Sequence, residues 1–225
     1  MMLNRTLALG FVGALLAQSS SAQTVYVLDD GSGEAVVGRN PGGSFMWLNR
    51  FVVTPGGTRI VSVSGAFGQA PNGAAITAHL WTDPNGDGNP YDAVSVSSGS
   101  GVTANANTDT FTAFSIPNIT LAVGTSFFAG FRMSHALNMW PARLDTSSPP
   151  TGESWIVEGN TPNDLSGALN LVTDASFLAS YPSFDTVGPS MVGNWMVRAN
   201  AVPEPATLLA LGVGAAVLTA RRRRR

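Results

Sequence analysis

Ile76-Thr77-Ala78-His79-Leu80-Trp81 decides the fold class of this chain, with Ile60-Val61-Ser62-Val63-Ser64 upstream in support. Apolar and polar side chains alternate in both. Successive residues of a strand point to opposite faces, so each segment lays one face on a core and turns the other outward. Outward from these two, short apolar or alternating runs recur at Val25–Leu28, Ala35–Gly38, Phe45–Val53, Ala93–Ser98, Thr110–Ser115, Ser126–Met133, Ser154–Val157 and Asn194–Arg198. Turn residues separate them, most clearly Pro41-Gly42-Gly43 and Pro55-Gly56-Gly57. Beyond one turn near Asn163–Gly167 the body shows no amphipathic helix, and Leu165–Gly188 reads as loop-rich. No repeat is visible, which argues against a solenoid or propeller. The expectation is all-β: an antiparallel β-sandwich, jelly-roll-like.

The two ends read differently. Met1–Ala22 has the three parts of a secretory signal peptide: Arg5, the apolar run Leu7–Ala17, and small residues at Ser20 and Ala22. Cleavage by signal peptidase is expected between Ala22 and Gln23, after passage through the Sec export machinery. The other end runs Val202-Pro203-Glu204-Pro205, then the uncharged apolar stretch Ala206–Ala220, then Arg221, Arg222, Arg223, Arg224 and Arg225. The prolines forbid helix across the turn, so the folded body is expected to stop near Ala201. A helix over 206–220 is about 22 Å long. That is short for a hydrocarbon core of about 30 Å, a mismatch that thinning and arginine snorkelling relieve. Arginines beside such a helix favour the cytoplasmic side, leaving the body outside.

Val202-Pro203-Glu204-Pro205, the short apolar helix and the arginine cluster together resemble the PEP-CTERM sorting signal of Gram-negative-type bacteria. The resemblance implies recognition by exosortase, a membrane-embedded, cysteine transpeptidase-like enzyme that cuts near Pro-Glu-Pro and removes the helix and arginines. It also implies transient anchoring of residues 206–220 in the inner membrane, then release to the cell surface or matrix. Members of the family are linked to exopolysaccharide. The body resembles uncharacterised ectodomains of that family at Phe45–Phe51, Leu80–Pro90 and Gly193–Asn200, which implies a β-rich extracellular module without a known active site.

Composition narrows the chemistry. The domains are expected as 1–22 signal peptide, 23–201 ectodomain and 202–225 sorting signal, and the ectodomain is long enough for one core. The chain has no cysteine, which excludes disulfides, thiolate metal sites and a cysteine nucleophile. The body carries six arginines against thirteen carboxylates, a net charge of −7. Such a body argues against nucleic acid and anionic lipid as partners and is compatible with divalent cations.

Asp83-Pro84-Asn85-Gly86-Asp87-Gly88 fits the first half of a calcium loop, with Asp83, Asn85 and Asp87 as alternating oxygen donors and Asp92 as a fourth. The twelfth position is Val94 where an EF-hand has glutamate, and helices do not flank the loop, so an EF-hand is rejected. The competing and favoured reading is a hairpin turn between strands, since these residue types suit turns for conformational reasons alone. Asp29-Asp30-Gly31-Ser32-Gly33-Glu34 reads as a second acidic turn. His79 and His135 lack the spacing of a zinc site, and no nucleophile elbow accompanies them. Five tryptophans admit a sugar-stacking reading, for which Trp140, in an expected loop, is the candidate; packing is the reading preferred for all of them.

The expected function is therefore a non-catalytic surface or matrix protein, structural or adhesive and exopolysaccharide-associated. The alternatives are a calcium-stiffened carbohydrate-binding module and a secreted glycan-active enzyme.

Overall fold

The computed structural model describes residues 23–176 and 183–202. The expected signal peptide through Ala22, Pro203-Glu204-Pro205, the apolar segment 206–220 and Arg221–Arg225 lie outside them. The body is an antiparallel β-sandwich. The chain weaves between two layers: β1 (Thr24–Tyr26) and β2 (Ala35–Arg39) lie in the first and β3 (Gly43–Val52) in the second. It returns through β4 (Arg59–Gly65) and β5 (Phe67–Gln69), then crosses to β6 (Ala75–Thr82) and β7 (Val94–Val102). It returns again through β8 (Thr112–Thr120), crosses to β9 (Ser126–His135) and returns to β10 (Trp140–Asp145). Finally β11 (Ser154–Glu158) and β12 (Leu169–Asn170) join the second layer, and β13 (Phe184–Val187), β14 (Asn194–Trp195) and β15 (Val197–Val202) the first. This repeated crossing is the jelly-roll-like feature.

The second layer is one six-stranded sheet, in the order β12-β11-β3-β9-β6-β7. The first layer is two sheets side by side: β1-β15-β4-β8, and β13-β2-β10-β14 with β5 also on β10. Between the layers lies an aromatic core. Phe131 sits 5.3 Å from Phe67, 5.2 Å from Phe114 and 5.8 Å from Trp47, ring to ring. All four are buried, and burying each such side chain contributes about 2–3 kcal/mol.

The alternation in Ile76–Trp81 lands as expected: Ile76, Ala78 and Leu80 join this core. The opposite face is not simply solvated. Met46, Leu48, Trp81, Phe128 and Val157 form a second buried cluster on the outer face of the six-stranded sheet, covered by Leu165 and Ala168. This is why β3 is buried on both faces from Phe45 to Asn49.

Several strand boundaries differ from the sequence reading. β8 continues through Pro117 to Thr120, because it is the edge of its sheet, where a missing N–H costs no ladder bond. β5 and β10 were not expected, and Trp140 begins β10 and is not in a loop; its partner across the ladder is Gln69. The Leu165–Gly188 stretch contains β12 and β13, the latter paired with β2 over Phe184–Val187. Val202, assigned to the tail, closes β15 opposite Arg59, so the folded body runs one residue further than Ala201.

Candidate functional site

The connection from β6 to β7 carries the acidic loop. Its shape follows from Asp83, which is buried and accepts the N–H groups of Gly86 and Gly88, each at 2.9 Å, on its two oxygens. Gly86 and Gly88 adopt φ of 74° and 82°, the left-handed region that glycine enters without strain. A ladder of side-chain-capped turns follows. Asp87 N–H donates to Asn85 Oδ1 at 2.9 Å, Asn89 N–H to Asp87 Oδ1 at 2.7 Å, and Tyr91 N–H to Asn89 Oδ1 at 3.1 Å. Asn89 thereby caps the single 3-10 turn over Pro90–Asp92, which delivers Asp92 back toward the loop.

Asp83, Asp87 and Asp92 consequently offer carboxylate oxygens that all lie within 4.8 Å of one another. Three of the four residues expected to form a cation site are thus brought together. Asn85 lies beside them, its Nδ2 donating to Asp87 Oδ2 at 3.1 Å. The set is all oxygen, as calcium prefers. The Arg50 guanidinium packs against Gly88 in this loop and pairs with Glu153 at 3.1 Å.

The second acidic turn, 29–34, is held from several sides. Arg198 pairs with buried Asp29 and lies 3.8 Å from the centre of the Phe111 ring. Arg143 pairs with Asp109 at 2.6 Å and donates to the Gly33 carbonyl at 2.7 Å. Burial raises the Asp145 carboxyl, but hydrogen bonds from the Ser148 backbone and side chain, the Asp30 N–H and the Ser147 hydroxyl outweigh it and hold the group below its ordinary value. Hydrogen bonds from Ser32, backbone first, likewise lower Asp30.

Both histidines are buried. His79 stacks on Trp81 at 5.2 Å, and burial, then the Arg132 charge, pushes it down to about 4. Trp47, Trp81 and Trp195 are fully buried, and Trp140 is half-buried with its Nε1 inside the protein. An exposed aromatic ring lies elsewhere, at Tyr91, edge-on to Trp155 at 6.3 Å. The sequence reading also passed over a groove on the outer face of the six-stranded sheet, lined by Ser44, Thr77, Ser100, Arg132, Ser134 and Asn160. Its residues come from four strands and a loop, and no local motif unites them.

β15 lies between β1 and β4 and delivers the chain to Pro203 directly from the sheet. Residues 201–225 match the family described as PEP-CTERM protein-sorting motif. This chain carries that sorting motif. The PEP-CTERM motif implies an exported surface protein, processed at the membrane by exosortase. No curated protein matches the sequence. Among solved structures, the body is similar to the cysteine protease and lectin-like domains of a surface layer associated protein of Clostridium difficile. That similarity has a TM-score of 0.47 and 13% identity, and covers 81% of this chain and 36% of the other.

Proposed function

We propose that the PEP-CTERM body is a non-catalytic, adhesive or structural module of the cell surface or matrix, associated with exopolysaccharide. The observation that carries this reading is the employment of its ionisable groups as staples. Arg39, Arg50, Arg143 and Arg198 pair with Glu158, Glu153, Asp109 and Asp29, each tying together segments far apart in the chain. Hydrogen bonds hold the Asp30 and Asp145 carboxyls below their ordinary values, as suits side chains that stay charged and brace the fold. Display outside the cell without disulfides makes such cross-bracing valuable. The test is a pull-down of the full chain with exopolysaccharide, run beside a glycosidase screen. Retention without turnover is expected; release of reducing sugar would overturn the non-catalytic reading.

A second reading rests on the convergence of Asp83, Asp87 and Asp92: the β6–β7 loop takes a calcium ion that stiffens it. Calcium at millimolar concentration then raises the melting temperature, and Asp87→Ala abolishes the rise. An unchanged melting temperature in the parent protein would exclude this reading.

A further inference from the structure

The groove on the outer face of the six-stranded sheet has a volume of about 250 Å³. Its polar lining follows from register. Arg132 on β9 stands opposite Thr77 on β6, and Thr77 opposite Ser100 on β7. One pleat along β9, Ser134 stands opposite Ser44 on β3. Four hydroxyl-bearing residues therefore line the same groove as one guanidinium.

The Arg132 guanidinium, like that of Arg59, has no carboxylate partner among the described residues, whereas the other four body arginines pair with carboxylates. Its Nη1 donates to the carbonyl and to Oδ1 of Asn160, at 2.8 and 2.7 Å, which fixes the side chain in place. Nε and Nη2 have no acceptor among the described residues. They form the edge that meets a carboxylate with two parallel hydrogen bonds. The same sheet face carries another unmatched donor or acceptor: the next outward residue along β6 is His79, buried, with Nε2 lacking a partner.

One unpaired positive charge suits one negative charge. A dianionic phosphate or a run of charges would meet the field of a body at net −7, whereas a single carboxylate is balanced locally. Hydroxyls that both donate and accept suit sugar hydroxyls. The volume is below that of sites for drug-sized ligands and matches a single sugar ring. We propose that this groove binds one carboxylate-bearing sugar unit of a polysaccharide, with Arg132 holding the carboxylate and Ser44, Thr77, Ser100 and Ser134 the ring hydroxyls. This deepens the polysaccharide-associated reading and rests on it.

Calorimetric titration of the full chain with trigalacturonate and with neutral maltotriose tests it. Trigalacturonate should bind at least tenfold more tightly than maltotriose. Arg132→Gln should weaken trigalacturonate at least tenfold, and Arg132→Lys less. Because Arg132 also anchors Asn160, the double variant Thr77→Val/Ser100→Ala supplies a second measure that leaves that contact intact, and it should also lose affinity. Equal binding of both sugars overturns the carboxylate assignment. Undiminished trigalacturonate binding in the double variant and in a folded Arg132→Gln overturns the groove but leaves the polysaccharide reading standing. Failure to bind either sugar, together with failure to retain exopolysaccharide, overturns both.

Discussion

The hydrogen bonds of His135 fix its tautomer. Its Nε2 accepts the Arg39 N–H at 3.1 Å, so the proton sits on Nδ1, which donates to the Ala136 carbonyl at 2.8 Å. Burial lowers its pKa, opposed by the Ala136 contact and aided by the Arg39 charge. His79 has no such ladder and is shifted further, to about 4. The unfolded chain therefore binds a proton that the folded chain refuses between pH 6.5 and about 4. Stability from His79 is complete above pH 6.5 and falls as pH drops toward 4, by roughly 3 kcal/mol at most. Melting curves at pH 7.5, 5.5 and 4.5 should show this decline, and His79→Gln should make it shallower; an identical slope in the variant would assign the effect elsewhere. Asn49 is the other decisive buried residue. Its Nδ2 donates to the carbonyls of Trp195 and Val197 at 2.8 and 3.0 Å, and its Oδ1 accepts the Ser154 hydroxyl at 2.7 Å. It thus bridges the two layers through the core. Asn49→Leu strands these groups without water and should cost about 3 kcal/mol in urea denaturation. Neither role was legible in sequence: His79 and Asn49 read only as strand residues, because what surrounds them comes from segments far along the chain.

The β6–β7 connection shows how much one element carries in its own sequence. Its turn-forming residues were legible, since Asp, Asn and Gly act on the backbone within a few positions. The return of Asp92 was also legible in part, because the interval is short. The role of Arg50 was not, because it arrives from β3 and lies where any side chain on Gly88 would have to be. Asp83→Ala should cost about 1–2 kcal/mol by releasing the Gly86 and Gly88 donors. Amide hydrogen exchange at those two residues should accelerate before the strands β6 and β7 are affected. Unchanged protection would mean that Arg50 and the Asn89 cap alone hold the loop. In contrast, β10 escaped the sequence reading because Trp140-Pro141 resembles a loop. Pairing with β5, β2 and β14 makes it a strand despite the proline.

At the scale of the whole molecule, the position of β15 sets what processing can remove. It is flanked by β1 and β4, and Ala199 and Ala201 lie in the core, so the sheet needs the chain through Val202. A chain ending at Val202 should melt within about 2 °C of the uncut protein, whereas one ending at Met196 should fail to fold cooperatively. Circular dichroism melts of the two truncations check this. A cooperative melt of the shorter chain would show that β15 is dispensable. Sorting by exosortase near Pro203–Pro205 is compatible with a body that stays folded, because the strand finishes before the first proline.

The sequence by itself determined the fold class, the turns and the sorting motif. Each depends on residues adjacent in the chain: alternation gives strands, Asx and glycine give turns, and a proline-flanked apolar run before arginines gives an address. Only the tertiary structure decided the pairing of layers, the second cluster under Leu165 and Ala168, and the gathering of Arg132 and four hydroxyl-bearing residues in one groove. Those depend on register between strands distant in sequence, which is fixed by burial of the whole aromatic core at once and by no single segment.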